Sequence, residues 1–435
     1  MVTKVENETL VRVSPGTPMG DLMRRYWHPV ATSAQLPGPD CAPLKTMLLG
    51  ERFVVFRDSG GRVGMLDELC MHRGASLAVG RVEDGGITCL YHGWKFAVDG
   101  TILDTPNSAD GKIRQRLRAP AYDVVERSGL VWAYIGPKEF KPPFRSFAAD
   151  QVPEENRMVL RVNIKVNYLQ LWEGGLDSSH VSVLHTNQAR TSWGASRGLS
   201  IDVTKWTPMD DPSPVFDVQD TPFGYHYSAT RKLPPGREND QMRNVRIMPA
   251  ILPTGRIIRG PVADFLVWET PADDDSTSTY ITVYSSKPVD KNWVLATLGL
   301  SDSRVWSEGN PDYKASWENG FFQDRAAMGT NWSGFKGIEQ EDAAIGLSYG
   351  PGIFDRTKEH LVAADVAVVR VRRRLLQAVE MVSAGEPAPG SQIADLTRVA
   401  APDVDVPVGS DWRDLAPFHH EFGESPAPAG ATAKA

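Results

Sequence analysis

Apolar and polar positions alternate in three runs near the start of the chain: Pro43 to Leu49, Glu51 to Arg57 and Gly61 to Leu66. Gly50 and the Asp58-Ser59-Gly60-Gly61 stretch separate them, so the pattern predicts short strands joined by tight turns. Gly86 to Leu90 and Lys95 to Ala97 continue it towards Asp99-Gly100, a hairpin signal. SGLVWAYI, Ser128 to Ile135, predicts one more strand. The next segment, GPKEFKPPF from Gly136 to Phe144, holds three prolines and reads as a linker. A domain boundary is expected there.

Beyond the boundary the pattern is mixed. Tyr168 to His185 reads as mostly helical, interrupted at Gly174-Gly175, and residues 200 to 290 hold several strand-like runs, among them TYITVY from Thr279 to Tyr284. Asp365 is placed to cap a helix running to about Ser383, with Val368, Leu375, Leu376, Val379 and Val382 near one face. Gly385 and Pro387 end it. The Arg372-Arg373-Arg374 run within it reads as a solvated or partner-facing surface. From Glu424 onward, ESPAPAGATAKA reads as a disordered tail. No internal repeat is visible. The expected units are residues 1–140, 141–423 and the tail 424–435.

Composition removes several function classes. The chain has 435 residues, 41% hydrophobic and 23% charged, which suits a globular protein with a substantial core. Its 47 Lys and Arg against 54 Asp and Glu give a net charge of −7, with no basic tract, which argues against nucleic-acid binding. No apolar run approaches the roughly 18 residues of a membrane span. The opening MVTKVENETLVRVSPG lacks the apolar core of a secretory signal, so a cytoplasmic location is expected. Three cysteines, Cys41, Cys70 and Cys89, do not make a disulfide framework.

Two of those cysteines stand beside histidines. Cys70-Met71-His72 is followed, after sixteen residues, by Cys89-Leu90-Tyr91-His92. Each Cys–His pair falls on a loop between predicted strands, so two similar loops can clamp one site. Two thiolates on one iron and two imidazoles on the other are the ligands of a Rieske [2Fe–2S] centre. Gly74 and Gly93 allow the backbone to approach the sulfurs. A structural zinc site also takes two Cys and two His, but usually groups like with like, C-x₂₋₄-C and H-x₃₋₅-H. Cys41 has no His companion and reads as a buried thiol.

The stretch CMHRGASLAVGR…CLYHGWKFAVDG resembles the Rieske domain of ring-hydroxylating oxygenases. The upstream SPGTPMGDLMRRYWHPVA is similar to the start of their phthalate dioxygenase-type oxygenase components, α subunits. The resemblance implies an α+β protein: an N-terminal all-β Rieske domain, then an α+β helix-grip (START-like) catalytic domain with an antiparallel sheet. It also implies a second, mononuclear iron site downstream.

Residues of the right kind are present. Asp177-Ser178-Ser179-His180 continues to His185, giving D-x-x-H-x₄-H. Two imidazoles and one carboxylate on one face of an Fe(II) leave positions for O₂ and substrate. His180 and His185 are separated by about 500° of an ideal helix, so a helical bulge or an end is required, and a bulge is expected. Asp342 and Asp355 are both candidates for the third ligand. The resemblance selects Asp342, eight residues before Gly350-Pro351, with Glu341 the alternative because Glu341-Asp342 replaces the usual Gln-Asp. His28, His226, His360, His419 and His420 lack paired spacing and read as structural or surface residues.

Asp177, one turn before His180, can accept a hydrogen bond from a ligand imidazole or cap a helix. The resemblance implies that it bridges His180 to a Rieske histidine of a neighbouring subunit, His92, and so implies a homotrimer or dimer of trimers. For substrate, the resemblance implies an aromatic carboxylate, with Arg243 as the clamp, Arg246 and Arg231 as alternatives, and Ser178 adding a hydrogen bond. Trp206 stands near the place of a second arginine in phthalate enzymes, pointing to a meta-substituted benzoate such as chloro- or phenoxybenzoate beside phthalate and isophthalate. The expected reaction is O₂ addition giving a cis-dihydrodiol. The close rival is monooxygenation, O-demethylation or ether cleavage, and a small electron carrier or a zinc-stabilised binding module are the distant ones. The chain has no flavin or nicotinamide fingerprint, so NAD(P)H enters through a separate reductase, of the kind with FMN and a plant-type ferredoxin domain.

Overall fold

The computed structural model describes residues 2–108, 111–189, 211–233, 240–350 and 352–416. Trp206, His419, His420 and the tail from Glu424 lie outside these residues. The runs expected at Pro43 to Leu49, Glu51 to Arg57, Gly61 to Leu66 and Ser128 to Ile135 join two strands that were not expected, His28–Thr32 and Ala121–Arg127, in one six-stranded antiparallel sheet, ordered His28–Thr32, Leu130–Tyr134, Ala121–Arg127, Val63–Asp67, Glu51–Arg57, Leu44–Leu48. Its Glu51–Arg57 strand shows why the pattern has period two. Phe53 and Val55 join the main core of the molecule, while Val54 and Phe56 join a second core around Cys70 and Cys89. A small four-stranded sheet, Arg81–Glu83, Gly86–Thr88, Lys95–Phe96 and Ile102–Asp104, completes that second core. The Gly86 strand ends at Thr88, two residues before the expected Leu90, because Cys89 already belongs to a loop.

The larger sheet is antiparallel throughout, ordered Arg157–Ile164, Thr277–Tyr284, Asp264–Pro271, Gly255–Arg259, Met242–Ile251, Gly224–Arg231, Val215–Thr221, with Asp403–Pro407 added to the Met242–Ile251 strand. One face, carrying Tyr225, Tyr227, Ala229, Met248 and Ala250, packs on the helices Tyr168–Leu176 and Val366–Ser383. The Tyr225 hydroxyl donates to the Ala367 carbonyl at 3.0 Å, tying the sheet to the second of these helices. The two N-terminal helices, Lys4–Val11 and Pro18–Met23, pack on the same long helix although they precede the six-stranded sheet in sequence.

Three local expectations change. Gly174-Gly175 does not interrupt the first helix, which runs through both to Leu176. Asp365 stands at the N-cap of the long helix, but its carboxylate accepts from Val362 N–H rather than from the helix. Arg372 is buried, not solvated: it donates to Glu173 at 2.7 Å and to both oxygens of Glu359, and Arg356 joins Glu173 at 3.0 Å. A run of three consecutive arginines hides this, because only Arg372 of the three is fully buried.

Candidate metal centres and their surroundings

The two Cys–His loops have the same backbone construction. Gly74 N–H donates to the Cys70 carbonyl at 2.8 Å and Gly93 N–H to the Cys89 carbonyl at 2.9 Å, and both glycines have φ of +73°. A left-handed residue there turns each loop back on itself, which a side chain would strain. Each cysteine N–H then returns to the strand, Cys70 to Ala75 O and Cys89 to Trp94 O, both at 2.8 Å. The result places the two thiols inward and the two imidazoles outward. Cys70 and Cys89 are buried, and His72 and His92 are half-buried with ring centroids 4.5 Å apart. Trp94 stacks flat on His72 at 4.7 Å, fixing that ring. Burial pushes the Cys70 thiol up to about 11, with the neighbouring Cys89 adding to it. A bare thiolate is disfavoured in such a place, whereas a cationic centre that takes the thiolate is favoured. A thiol pair on one side and an imidazole pair on the other suit a binuclear cluster with unlike ends.

The second group forms where the Tyr168–Leu176 helix stops. Asp177 is its C-cap, a 3₁₀ turn spans His180–Ser182, and the chain enters a short helix at Thr186. The separation of His180 and His185 is thus reconciled by ending the helix rather than by the expected bulge. Among the described residues, His180, His185 and Asp342 are the one trio whose ligand atoms all lie within 4.8 Å of one another. His180 Nε2 stands 3.2 Å from His185 Nε2, and Asp342 Oδ1 stands 3.3 Å from His185 Nε2 and 3.6 Å from His180 Nε2. Ligands at about 2.1 Å from one ion, 90° to 120° apart, would be separated by about 3.0 to 3.6 Å. The trio matches one face of such an ion, leaving the opposite face open.

Asp342 and Glu341 lie side by side on the Ile338–Ser348 helix and do different things. Glu341 is fully buried, and its Oε2 takes His185 Nδ1 at 2.7 Å while Ser333 Oγ donates to Oε1. It therefore orients the imidazole from behind, with Nδ1 as the donor and Nε2 turned to the trio. Burial pulls His185 towards neutrality, but Asp342 and Glu341 outweigh it and push the imidazole up to about 10. Asp355, the other candidate third ligand, caps a short turn through Thr357 instead. Asp177 accepts from Ser179 N–H at 2.7 Å and from Ser179 Oγ at 2.6 Å. Its other oxygen lies 3.7 Å from His180 Nδ1, beyond a hydrogen bond, and that nitrogen has no partner among the described residues.

The expected clamp Arg243 is not brought to the trio. On the Met242–Ile251 strand it shares the face of Val245 and Ile247, which pack on Trp412, and its guanidinium donates to the Met242 carbonyl at 2.7 Å. Arg246 is committed to Asp403 Oδ2 at 2.7 Å. Arg231 lies on the helix-covered face, fully buried, and donates from Nη2 to Ser178 O at 2.7 Å and Ser178 Oγ at 3.1 Å. Its Nη1 is buried without a partner. Ser178 and Arg231 are thus neighbours, while Ser178 and Arg243 are not. Ser333 gave no sequence signal, since its role depends on a contact between two separate loops. Trp94 was visible in CLYHGW, beside the ligands it supports.

The comparisons with known proteins agree with this architecture. Residues 26–121 match the Rieske [2Fe-2S] domain, and residues 133–429 match the family described as LigXa C-terminal domain like. The chain is 35% identical to the phthalate 4,5-dioxygenase oxygenase subunit of Pseudomonas putida, over 95% of this chain and 94% of that one. It is 33% identical to the 3-chlorobenzoate-3,4-dioxygenase oxygenase subunit of Comamonas testosteroni, over 91% and 93%. A 5,5'-dehydrodivanillate O-demethylase oxygenase subunit from Sphingobium is 26% identical, over 89% and 82%. Among solved structures, a mutant of NdmA from Pseudomonas putida CBB5 with caffeine superposes with a TM-score of 0.58 at 19% identity, over 87% of this chain and 97% of that one, which shows a shared fold. A Rieske domain, a buried thiol pair facing an imidazole pair and a His–His–Asp trio on one chain, with relatives over nearly its whole length, leave one assignment: the chain belongs to the Rieske non-haem iron ring-hydroxylating oxygenases, as an oxygenase subunit of the phthalate dioxygenase type.

Proposed function

We propose that this oxygenase adds O₂ to the ring of an aromatic carboxylate, phthalate, isophthalate or a meta-substituted benzoate, giving a cis-dihydrodiol. The observation that carries the site assignment is the His180–His185–Asp342 trio, whose spacing fits three ligands on one face of an ion. Cys70 and Cys89 would hold one iron of the cluster and His72 and His92 the other, and the trio would hold the mononuclear iron. When bound, the two centres supply two electrons and the means of activating O₂.

The chain's own residues set the conditions. Glu341 and Ser333 keep His185 in the tautomer that presents Nε2, and Trp94 keeps His72 in place. Asp177, held by Ser179 and partly exposed, has one oxygen left for a second partner; in this reading that is His92 of the partner subunit, so electrons cross between copies arranged as a trimer or a dimer of trimers. Arg231 and Ser178 together receive the substrate carboxylate: Nη2 is used on Ser178, and the bare Nη1 supplies the buried positive charge. Electrons reach the cluster from a separate reductase, drawing on NAD(P)H in the cytoplasm. No helix of the described residues is long and apolar enough to cross a membrane.

A single turnover tests the reading. The reduced, iron-replete protein is mixed with ¹⁸O₂ and a panel of aromatic carboxylates, and the products are weighed. Two labelled oxygens in one ring product are expected. One labelled oxygen, with the second leaving as water, moves the assignment to monooxygenation, which the O-demethylase relative keeps in view. No product from any acid, with both metal sites filled, refutes the substrate class. Electron transfer in an isolated monomer refutes the ring of copies.

A further inference from the structure

Where the linker leaves the Rieske domain, it crosses a small aromatic cavity. Tyr26, Trp27 and Trp132 line it from the N-terminal side, Phe147 and Trp268 from the catalytic side, and Pro142 to Arg145 close it. Arg145, like Arg161 and Arg231, is a buried arginine without a carboxylate partner among the described residues. Arg356 and Arg372 share Glu173, and Arg256 has Glu269 at 2.8 Å, but Arg145, only 7% exposed, forms no ion pair among the described residues. Its Nη1 donates to the Leu252 carbonyl at 2.6 Å, its face lies 5.1 Å over the Tyr26 ring, and its Nη2 has no partner. Burial lowers its pKa to about 10, and Tyr26 alone opposes that shift. A second lining residue repeats the feature: Trp268 is buried and its indole Nε1–H has no acceptor.

Two residues that line the cavity therefore carry a positive charge and two unused donors. The carbonyls beside it, Pro142 and Leu252, already accept from Trp27 and Arg145. The rings meet edge to face, Trp132 to Trp268 at 5.4 Å and Phe147 to Trp268 at 5.5 Å. Such a set favours an occupant that only accepts and is negative. A water molecule brings two protons of its own and no charge; a carboxylate or phosphate is too large for so small a space. We propose that this cavity is a binding site for chloride, held by Arg145 Nη2 and Trp268 Nε1–H, which ties the Rieske sheet to the catalytic sheet at the linker. The site is independent of the assignments made for the two metal centres.

The test uses the intact holoenzyme. Its unfolding temperature is measured by calorimetry across a chloride series, with gluconate holding ionic strength constant. A saturable rise is expected, because a ligand of the native state stabilises it by mass action. Arg145→Met should abolish the rise, and Trp268→Phe should weaken chloride affinity about tenfold, the effect of losing one hydrogen bond to a charged group. Crystals grown in bromide should show an anomalous peak in the cavity, a readout that stands even if Arg145→Met does not fold. A wild-type transition indifferent to chloride, an equal response in Arg145→Met, or a bromide derivative without a peak there would each overturn the proposal.

Discussion

Glu341 offers the sharpest test of how the iron trio is built. It is fully buried, so its charge and both its oxygens are accounted for inside the protein: Oε2 takes His185 Nδ1 at 2.7 Å and Oε1 takes the Ser333 hydroxyl. Glu341→Gln leaves a carbonyl oxygen able to accept from Nδ1–H but removes the charge that makes the imidazole a better donor to metal. A carboxylate behind a ligating histidine typically contributes 10- to 100-fold in metal affinity, so the Gln variant should lose about tenfold, roughly 1.4 kcal/mol. Glu341→Ala also strands a buried N–H and the Ser333 hydroxyl, at about 1–3 kcal/mol for an unsatisfied buried group. Its loss should approach 100-fold, about 2.7 kcal/mol. The assay is competition for Fe(II) against a calibrated chelator, with the Rieske spectrum as an internal check that the other centre is intact. Asp342→Asn is the contrast: it removes a proposed ligand and should leave the site unable to hold iron at all. If Glu341→Gln empties the site while Asp342→Asn keeps it, the two neighbours have been given each other's roles.

Three further predictions follow from particular atoms. Adjacent glycines should respond oppositely to alanine: a Cβ at Gly174 meets nothing within 4 Å and should gain up to about 1 kcal/mol from helix propensity. A Cβ at Gly175 falls 2.2 Å from the Arg256 guanidinium, which is buried against Glu269, and should cost about 3–5 kcal/mol if that pair is broken; equal midpoints in urea would refute the packing. In protein stripped of iron, His185 is protonated at neutral pH because its pKa is about 10. Its stabilising contribution is fully present below the unfolded value of about 6.5 and is lost as pH rises through about 10. Iron uptake near pH 7.5 should accordingly release about one proton, read by titration calorimetry in buffers of different protonation enthalpy, and iron uptake with no proton release contradicts the geometry. Arg231→Met should weaken binding of the carboxylate substrate about 10- to 100-fold, as expected for a charge-assisted hydrogen bond, while Arg243→Ala leaves it unchanged; the reverse result restores Arg243 as the clamp.

Much of this was legible because it is local. Cys70 and His72, or Cys89 and His92, are neighbours in sequence, and the glycine that turns each loop follows within two residues, so the chemistry and the geometry sit in the same short word. Four strands of the six-stranded sheet were visible for a similar reason, an alternating run each, whereas His28–Thr32, buried along its whole length, and Ala121–Arg127, with no fully buried residue, carry no such alternation. What sequence could not give were contacts that depend on distant register. Resemblance favours Arg243 over Arg231, but strand parity sends Arg231 to the face covered by helices and Arg243 to the face of Trp412. Arg372 looks solvated in RRR until Glu173, about two hundred residues earlier, is folded against it. Glu341 could be weighed only as a rival ligand, since Ser333 and His185 meet it through the tertiary fold.

The two histidines of the trio are supported unequally, and the inequality has a functional logic. His185 is locked from inside: buried carboxylate, buried hydroxyl, a hydrogen bond of 2.7 Å. His180 is backed by Asp177 at 3.7 Å, a separation that makes no bond, and its Nδ1 has no partner among the described residues. Both residues are part-exposed, with side chains 21% and 23% accessible, and among the described residues Asp177 accepts hydrogen bonds from Ser179 alone. A site built solely to retain iron would gain from locking both rings. Leaving one imidazole and its carboxylate loose at the surface costs affinity and makes sense where that edge is completed by something from outside. On the Rieske side the matching edge is also open: Met71, Leu90 and Tyr91 are exposed around half-buried His72 and His92. On the proposed ring of copies, an isolated chain would present two incomplete edges, one apolar and rimmed by imidazoles, the other holding the carboxylate of Asp177. A head-to-tail contact between copies would close both at once and repeat around a ring, whereas a two-fold contact would pair each edge with itself and leave the carboxylates facing one another.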